Sequence, residues 1–344
     1  MSKTIIVATD GQALIRTHDE GENWYRINIG QDLEYDDRVR CLLVDPADPT
    51  ALFAGAEKGL FYSSDRGVHW SRVECALDGF SVWKIVASES DPKVMYAGTG
   101  APTLSILFRS RDGGKTWERT TLEMPEFCAG VNRPRMLALA VDPDDANDVW
   151  AGVEEGGLHR SRDGGDTWER IDTNWSEFGG NSDIHDIMVL KQPDGSKVHL
   201  ALTVIALYRS TDDGKTWTRQ PAKETWGLRY SRLLLRKPGS SQDVAVGIGD
   251  GTPGTQASIL VSNDAGQTWT KSELDKPSNS CMWAFGANPE DPDYLLAASK
   301  FGYLYRSTDA GKTWAKEWRE FNEVTDITWV PGVPEDLGLP HVTN

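Results

Sequence analysis

The sequence predicts an all-β fold. It reads as a seven-bladed β-propeller of four-stranded antiparallel blades, with the ring closed by a C-terminal strand that completes blade one. Three observations lead there. The pattern Ser/Thr-x-Asp-x-Gly-x-x-Trp occurs seven times. Its aspartates are spaced by 46, 47, 51, 49, 52 and 45 residues, a length that holds four short strands and their turns. One strand-like segment, 324–330, is left over after the seventh unit. The whole chain, 1–344, is therefore one domain, whatever a length prior of two domains would say.

The motif itself reads as a hairpin turn. Its copies span Thr17–Trp24, Ser63–Trp70, Ser110–Trp117, Ser161–Trp168, Ser210–Trp217, Ser262–Trp269 and Ser307–Trp314. The glycine two residues after each Asp accepts a positive φ at little cost. The carboxylate can accept turn N–H groups, and the hydroxyl adds a local bond. The tryptophan is large enough to seal the gap between blades. Seven equivalent aspartates make a scaffold, not a catalytic centre.

Flanking stretches supply the other strands. Short apolar runs such as Leu60-Phe61-Tyr62 precede each motif as third strands, and runs such as Ala51-Leu52-Phe53-Ala54 precede those as second strands. Two residues after each motif Trp stands a cation: Arg26, Arg72, Arg119, Arg170, Arg219, Lys271 and Lys316. On an outermost strand, such a charge discourages edge-to-edge pairing. The first unit lacks a first strand, since the chain opens on Thr4-Ile5-Ile6-Val7-Ala8. The orphan segment 324–330 is expected to fill that place beside 4–8.

The motif resembles the Asp box, or BNR repeat, of bacterial sialidases. Similar boxes occur in sortilin-type receptor propellers, xyloglucan-degrading enzymes and a photosystem II assembly factor. The resemblance covers residues 4–331 and implies the propeller fold. It does not choose a function, because the box is a turn shared by enzymes and non-enzymes. Sialidases also carry a Phe/Tyr-Arg-Ile-Pro motif, an arginine triad, a tyrosine–glutamate pair and an aspartate acid. Arg133-Pro134 does not match that motif, so none of these roles carries over.

In a propeller, the fourth-to-first and second-to-third connections share one face, and the starts of the first strands line its axis. Aligning those starts on the apolar pattern gives Arg38, Ser81, Arg135, Asp183, Arg229, Cys281 and Glu323 at one position. Two residues on come Arg40, Trp83, Leu137, His185, Ser231, Trp283 and Thr325, with Lys84, Arg133, Asp186, Tyr230, Arg232 and Asp326 beside them. Arg38, Arg135, Arg229, Trp83, Tyr230 and Trp283 are the expected ligand-binding residues. His185, Glu323 and Asp183 are the expected proton-transfer groups, His185 first because imidazole titrates near neutrality. The same charges would alternatively seal the pore, pairing Arg38 with Glu323 and Arg229 with Asp183. The long glycine-bearing loops 98–105 and 247–258 are expected to be mobile lips of the site, and 124–133 and 175–183 a raised rim.

The expected ligand is a small anionic or sugar-like molecule, or a protein partner. The alternative is a hydrolase or lyase of glycosidase type at the same pore. No cofactor is expected, and no metal, because His18, His69, His159, His185, His199 and His341 show no ligand spacing. A formal charge of −16 disfavours nucleic acid. No membrane partner is expected either. Cys41, Cys75, Cys128 and Cys281 form no C-x-x-C pair, no signal-peptide pattern opens the chain, and no apolar run spans a bilayer. A cytoplasmic protein is expected.

Overall fold

A computed structural model of the chain describes residues 2–171, 175 and 183–335. Among these, the strands form seven sheets, each with its innermost strand first or last in order. The inner strands are Val324–Pro331, Val39–Val44, Ser81–Ala87, Met136–Val141, Ile184–Lys191, Tyr230–Arg236 and Met282–Gly286. Each touches the next, and the last returns to the first, so the ring is closed. We number the blades 1 to 7 in that order.

Closure follows the expected route. Val324–Pro331 pairs antiparallel with Lys3–Thr9, from Lys3 opposite Pro331 to Thr9 opposite Val324. Val324, Ile327, Trp329 and Val330 are all buried there. The apolar clusters lie between blades. One joins Ile6 and Leu14 of blade 1 to Leu52, Phe61 and Trp70 of blade 2, and another joins Phe53 and Leu60 to Ile85, Met95 and Phe108 of blade 3. Burying both faces of each sheet against its neighbours is why no blade needs a separate core.

The box turns explain their own sequence. In the second copy Ser63 Oγ donates to Asp65 Oδ1 at 2.9 Å and accepts the Gly67 N–H at 2.9 Å. Asp65 Oδ1 also accepts the N–H groups of Val68 and His69 at 3.1 and 2.9 Å. Trp70 Nε1 donates to Gly67 O at 3.1 Å. The residue after the Asp and the Gly both have positive φ, 60° at Arg66 and 78° at Gly67. The donors hold the carboxyls low: Asp112, Asp163 and Asp212 sit at about 2, with the box threonine hydroxyl the largest cause.

Two features depart from seven plain four-stranded blades. Glu273–Leu274 adds a fifth strand to blade 7, parallel to its outer strand Thr313–Glu320. A short helix, Ala222–Trp226, occupies the connection into blade 6. No helix among the described residues is long and apolar enough to cross a membrane. All four cysteines are free thiols.

Candidate functional site at the axial pore

Every inner strand carries a one-residue register shift near its start. A β-bulge leaves one residue out of the ladder and re-aims its side chain. The bulged residues are Arg40, Trp83, Leu137, His185, Arg232, Trp283 and Thr325, and all seven line one axial cavity of about 940 Å³. Six of the seven match the sequence alignment of strand starts. Blade 6 does not, because Arg232 occupies the place expected for Ser231. Ser231 is fully buried and its hydroxyl donates to Thr203 O at 2.8 Å. By the same shift Tyr230, not Arg229, is the counterpart of Arg38 and Arg135.

Arg229 is therefore a correction. It is exposed and outside the cavity lining, with its Nε donating to Asp250 O at 2.9 Å. Arg38, Arg135, His185, Glu323, Trp83, Tyr230 and Trp283 do line the cavity. Asp183 lies just behind it, with its Oδ1 3.6 Å from His185 Nε2.

A second ring was missed by sequence reading. The residue following the second strand is Asp10, Glu57, Glu154 or Lys300 in blades 1, 2, 4 and 7. Each donates its backbone N–H to the carbonyl of a residue at a first-strand start: Glu323, Arg38, Arg135 and Cys281, at 2.9–3.0 Å. In blades 2 and 4 the two bonded residues also pair through their side chains, Arg38 with Glu57 and Arg135 with Glu154. Arg38 meets Asp10 at 2.8 Å and Glu57 at 3.3 Å. Arg40 reaches the same two acids at 3.1 and 2.5 Å. Arg135 grips both oxygens of Glu154, and Lys300 pairs with Glu323. Arg38 thus pairs with this ring instead of with Glu323, which Lys300 takes, while Arg229 bonds the Asp250 carbonyl and Asp183 faces His185, so the expected Arg229–Asp183 pair does not form. Its signal was present in the sequence, as one aligned position just past each second strand.

The two tryptophans are occupied as well. Trp83 has the guanidinium groups of Arg40 and Arg135 at 4.7 and 5.1 Å from its ring. Trp283 carries Arg232 at 4.1 Å and Lys300 at 3.9 Å. Cations on the ring faces are stabilised by the aromatic quadrupole. They also take the faces that a sugar ring would stack on. Among these cations Arg232 has no acid within ion-pair distance in the described structure.

The residue after the bulge does a different job. Asp326 accepts the N–H of Leu42 in the next blade at 2.8 Å, and Asp186 accepts that of Leu234 at 2.8 Å. Each carboxylate also takes the N–H of the residue following it. These aspartates latch neighbouring inner strands together. Loss of water in the pore pushes the Asp326 carboxyl up to about 6, against the pull of Lys84 and the two donors.

Both glycine-bearing loops are tied by hydrogen bonds. Trp83 Nε1 donates to Ala101 O at 2.7 Å, and Ser81 N–H donates to Thr103 Oγ1 at 3.0 Å. The Asp250 carboxylate closes the other loop by accepting from Thr255 and Gln256. Of the expected rim 175–183, residues 176–182 lie outside the described residues. Trp175 is buried and stacks on Tyr208 with ring centroids 3.9 Å apart.

Apolar side chains stand exposed on the same face. Ile29, Tyr35 and Phe127 lie in fourth-to-first connections, and Leu104 and Phe301 in second-to-third connections, with exposures of 40–86%. They make up five of the seven large exposed hydrophobic residues among those described.

Comparisons with known proteins agree with this architecture. A sortilin (neurotensin receptor 3) family model matches residues 205–332. A model of the photosynthesis system II assembly factor YCF48 matches residues 98–247. A Paenibacillus xyloglucanase is 29% identical over 287 residues, which is 70% of this chain and 27% of the xyloglucanase. The photosystem II assembly lipoprotein Ycf48 of Synechococcus is 23% identical over 295 residues, 84% of this chain and 77% of the lipoprotein. The chain spans about a quarter to two fifths of the length of the xyloglucanases it matches. Among solved structures, a Niastella koreensis GH74 enzyme superposes with a TM-score of 0.58 at 14% identity, covering 95% of this chain and 66% of the enzyme. YCF48 from Cyanidioschyzon merolae superposes with 0.56 at 16%, covering 86% and 88%. YCF48 bound to D1 peptide gives 0.51 at 14%, covering 81% of each.

Proposed function

Because the chain is an Asp-box (BNR-type) propeller and not a true sialidase, we propose that it is a recognition module that binds an extended segment of a partner protein across its axial face. The carrying observation is the pairing of exposed Tyr35, Leu104, Phe127 and Phe301 with a charged pore on that same face. Exposed apolar side chains around the rim of a polar site suit the anchoring of a protein segment. Arg232 offers unpaired donors inside the pore for a polar side chain of the bound segment. The resemblance to Ycf48 takes in most of both chains and includes a relative bound to a peptide. Free thiols without a paired motif fit a reducing compartment, so a cytoplasmic location belongs to the same proposal.

A glycosidase-like reading rests on Glu154 and Asp183. Burial pushes the Glu154 carboxyl up. Burial acts on Asp183 in the same direction, but His185, Arg232 and Arg135 overcome it and leave the carboxyl lowered. Carboxyls driven apart in this way are the acid–base signature of such enzymes. Here, however, Arg135 occupies both oxygens of Glu154 and opposes its carrying a proton. The geometry favours binding.

Selection from a displayed random-peptide library tests the choice. Peptides of micromolar affinity are expected, with affinity reduced at least about tenfold, or about 1.4 kcal/mol, by Phe127→Ser combined with Phe301→Ser. Failure to select any peptide, together with release of reducing ends from xyloglucan, would reverse the two readings.

A further inference from the structure

We propose that Glu154, Asp183 and His185 form a binding site for a single divalent transition-metal cation of the zinc type, opening into the axial cavity. The three side chains come from two blades. Glu154 follows the second strand of blade 4, His185 is the bulged residue of blade 5, and Asp183 stands two residues before it. One donor atom from each falls within 4.8 Å of the others, and all three residues are buried.

Two details show that these groups are arranged for something besides each other. First, His185 Nδ1 lies 2.7 Å from Ser231 O. A carbonyl only accepts, so Nδ1 carries the proton in this bond. The other nitrogen, Nε2, is thereby turned toward Asp183. A carbonyl on the far nitrogen is the usual outer-shell support of a metal-bound histidine. Second, Asp183 is 8% exposed, and its buried Oδ1 has no hydrogen-bond partner. The gap from Nε2 to Oδ1 is 3.6 Å, too long for a hydrogen bond. It equals one edge of a tetrahedron of ligands at ~2.0–2.2 Å from zinc, which is ~3.3–3.6 Å. Buried polar atoms are normally satisfied, and a cation between these two would satisfy both.

Glu154 supplies the third donor. Arg135 binds both of its oxygens, and each oxygen keeps a second lone pair for a metal. Arg135 then acts as the outer-shell partner of that carboxylate and offsets part of the site's negative charge. One imidazole with two carboxylates suits Zn²⁺ better than Mg²⁺ or Ca²⁺, which prefer all-oxygen shells. Glu154 and His185 line the cavity, so the ion has an entry path. Three protein ligands leave a fourth position facing the cavity. A carboxylate, hydroxyl or water brought to the pore would complete the shell. This inference does not depend on what binds the rim.

Calorimetric titration of the EDTA-treated full chain with Zn²⁺ at neutral pH tests it. One ion per chain is expected, at micromolar affinity or tighter, and excess Mg²⁺ should not displace it. Asp183→Asn and His185→Gln should each weaken binding on the order of 100-fold. Glu323→Gln, in the same pore but outside the cluster, should leave the affinity within about threefold, which separates a local site from a general loss of pore charge. Should the cluster variants fail to fold, Co²⁺ added to the unaltered protein provides the reading, because coordinated cobalt at this site produces strong visible absorption that Zn²⁺ abolishes. Absence of a saturable one-per-chain site, Zn²⁺ binding undiminished in a folded His185→Gln protein, or a colourless Co²⁺ titration would each overturn the proposal.

Discussion

The two ends of the propeller follow opposite rules. At the box end, seven turns repeat the same hydroxyl–carboxylate bond with nearly the same residues, from Thr17–Asp19 to Ser307–Asp309. At the axial end, seven equivalent bulges carry arginine, tryptophan, leucine, histidine, arginine, tryptophan and threonine. One backbone device is copied seven times at each end, yet only the box end keeps its side chains. The difference lies in what each position must satisfy. A box must close a turn with a fixed set of N–H donors, and only Ser or Thr with Asp and Gly does that. A bulge residue is already outside the ladder and faces a cavity, so the fold leaves its identity free. Specialisation accumulates where the scaffold makes no demand.

The scaffold side of this comparison is broken most severely by removing its closure. Truncation after Glu320 deletes four buried apolar side chains, Val324, Ile327, Trp329 and Val330. At ~1.5–3 kcal/mol each, the loss is roughly 6–12 kcal/mol, comparable with the whole stability of a domain. The truncated chain should show no cooperative melting transition by circular dichroism. Retention of the parent's transition would mean that the ring is held without its last strand.

Arg135→Gln probes the axial end. It strips Glu154, a buried carboxylate, of its guanidinium partner. Removing one partner of a buried pair costs about 3–5 kcal/mol. Urea unfolding should register that loss, whereas a change below about 1 kcal/mol would show that water already solvates Glu154.

The box end should respond more weakly and in acid. Asp65→Ala removes one turn anchor and should cost about 1–2 kcal/mol without altering peptide affinity at the other face. The carboxyls of Asp112, Asp163 and Asp212 are depressed to about 2. Their contribution is complete above the unfolded value near 4 and disappears as the pH falls toward 2. Asp326 has the opposite sign. Its carboxyl is raised to about 6, so its contribution is complete below about pH 4 and lost as the pH rises through 6. Asp326→Asn should therefore gain stability relative to the parent between pH 4 and pH 7. A pH-independent difference between the two proteins would show that this carboxyl titrates normally.

What could be read from the sequence divides along the same line. The boxes announced blade number and blade boundaries, because each box is a local motif whose chemistry is complete within eight residues, and the strand-like segment 324–330 left over after them announced closure. The axial residues were found where alternation is clear, as at Arg40, Trp83 and His185. The register slipped by one in blade 6, where Leu233-Leu234-Leu235 gives no alternation and a helix at Ala222–Trp226 precedes the strand. That slip put Arg229 and Ser231 in places held by Tyr230 and Arg232. Glu57, Glu154 and Lys300 escaped because their role depends on a backbone bond to another strand, from Glu154 N–H to Arg135 O for example. The position repeats just past each second strand, but nothing local to it shows which strand it bonds.

The smallest expected effect is the sharpest check on that slip. Arg229 and Arg232 are three residues apart, and both are arginines without an ion pair in the described structure. Arg229 is exposed, and one hydrogen bond ties it to the carbonyl of Asp250. Arg232 sits on the Trp283 ring inside the cavity. Arg229→Gln should change unfolding free energy by no more than about 0.5 kcal/mol, the range for surface substitutions. It should leave peptide affinity unchanged. Arg232→Gln gives up a partly desolvated cation–π contact worth about 1–2 kcal/mol, together with the donors offered to a bound segment. The two variants should therefore differ in both melting and binding, with Arg232 the larger in each. If instead Arg229→Gln weakens binding and Arg232→Gln does not, the segment lies on the outer rim and the bulge ring only supports it.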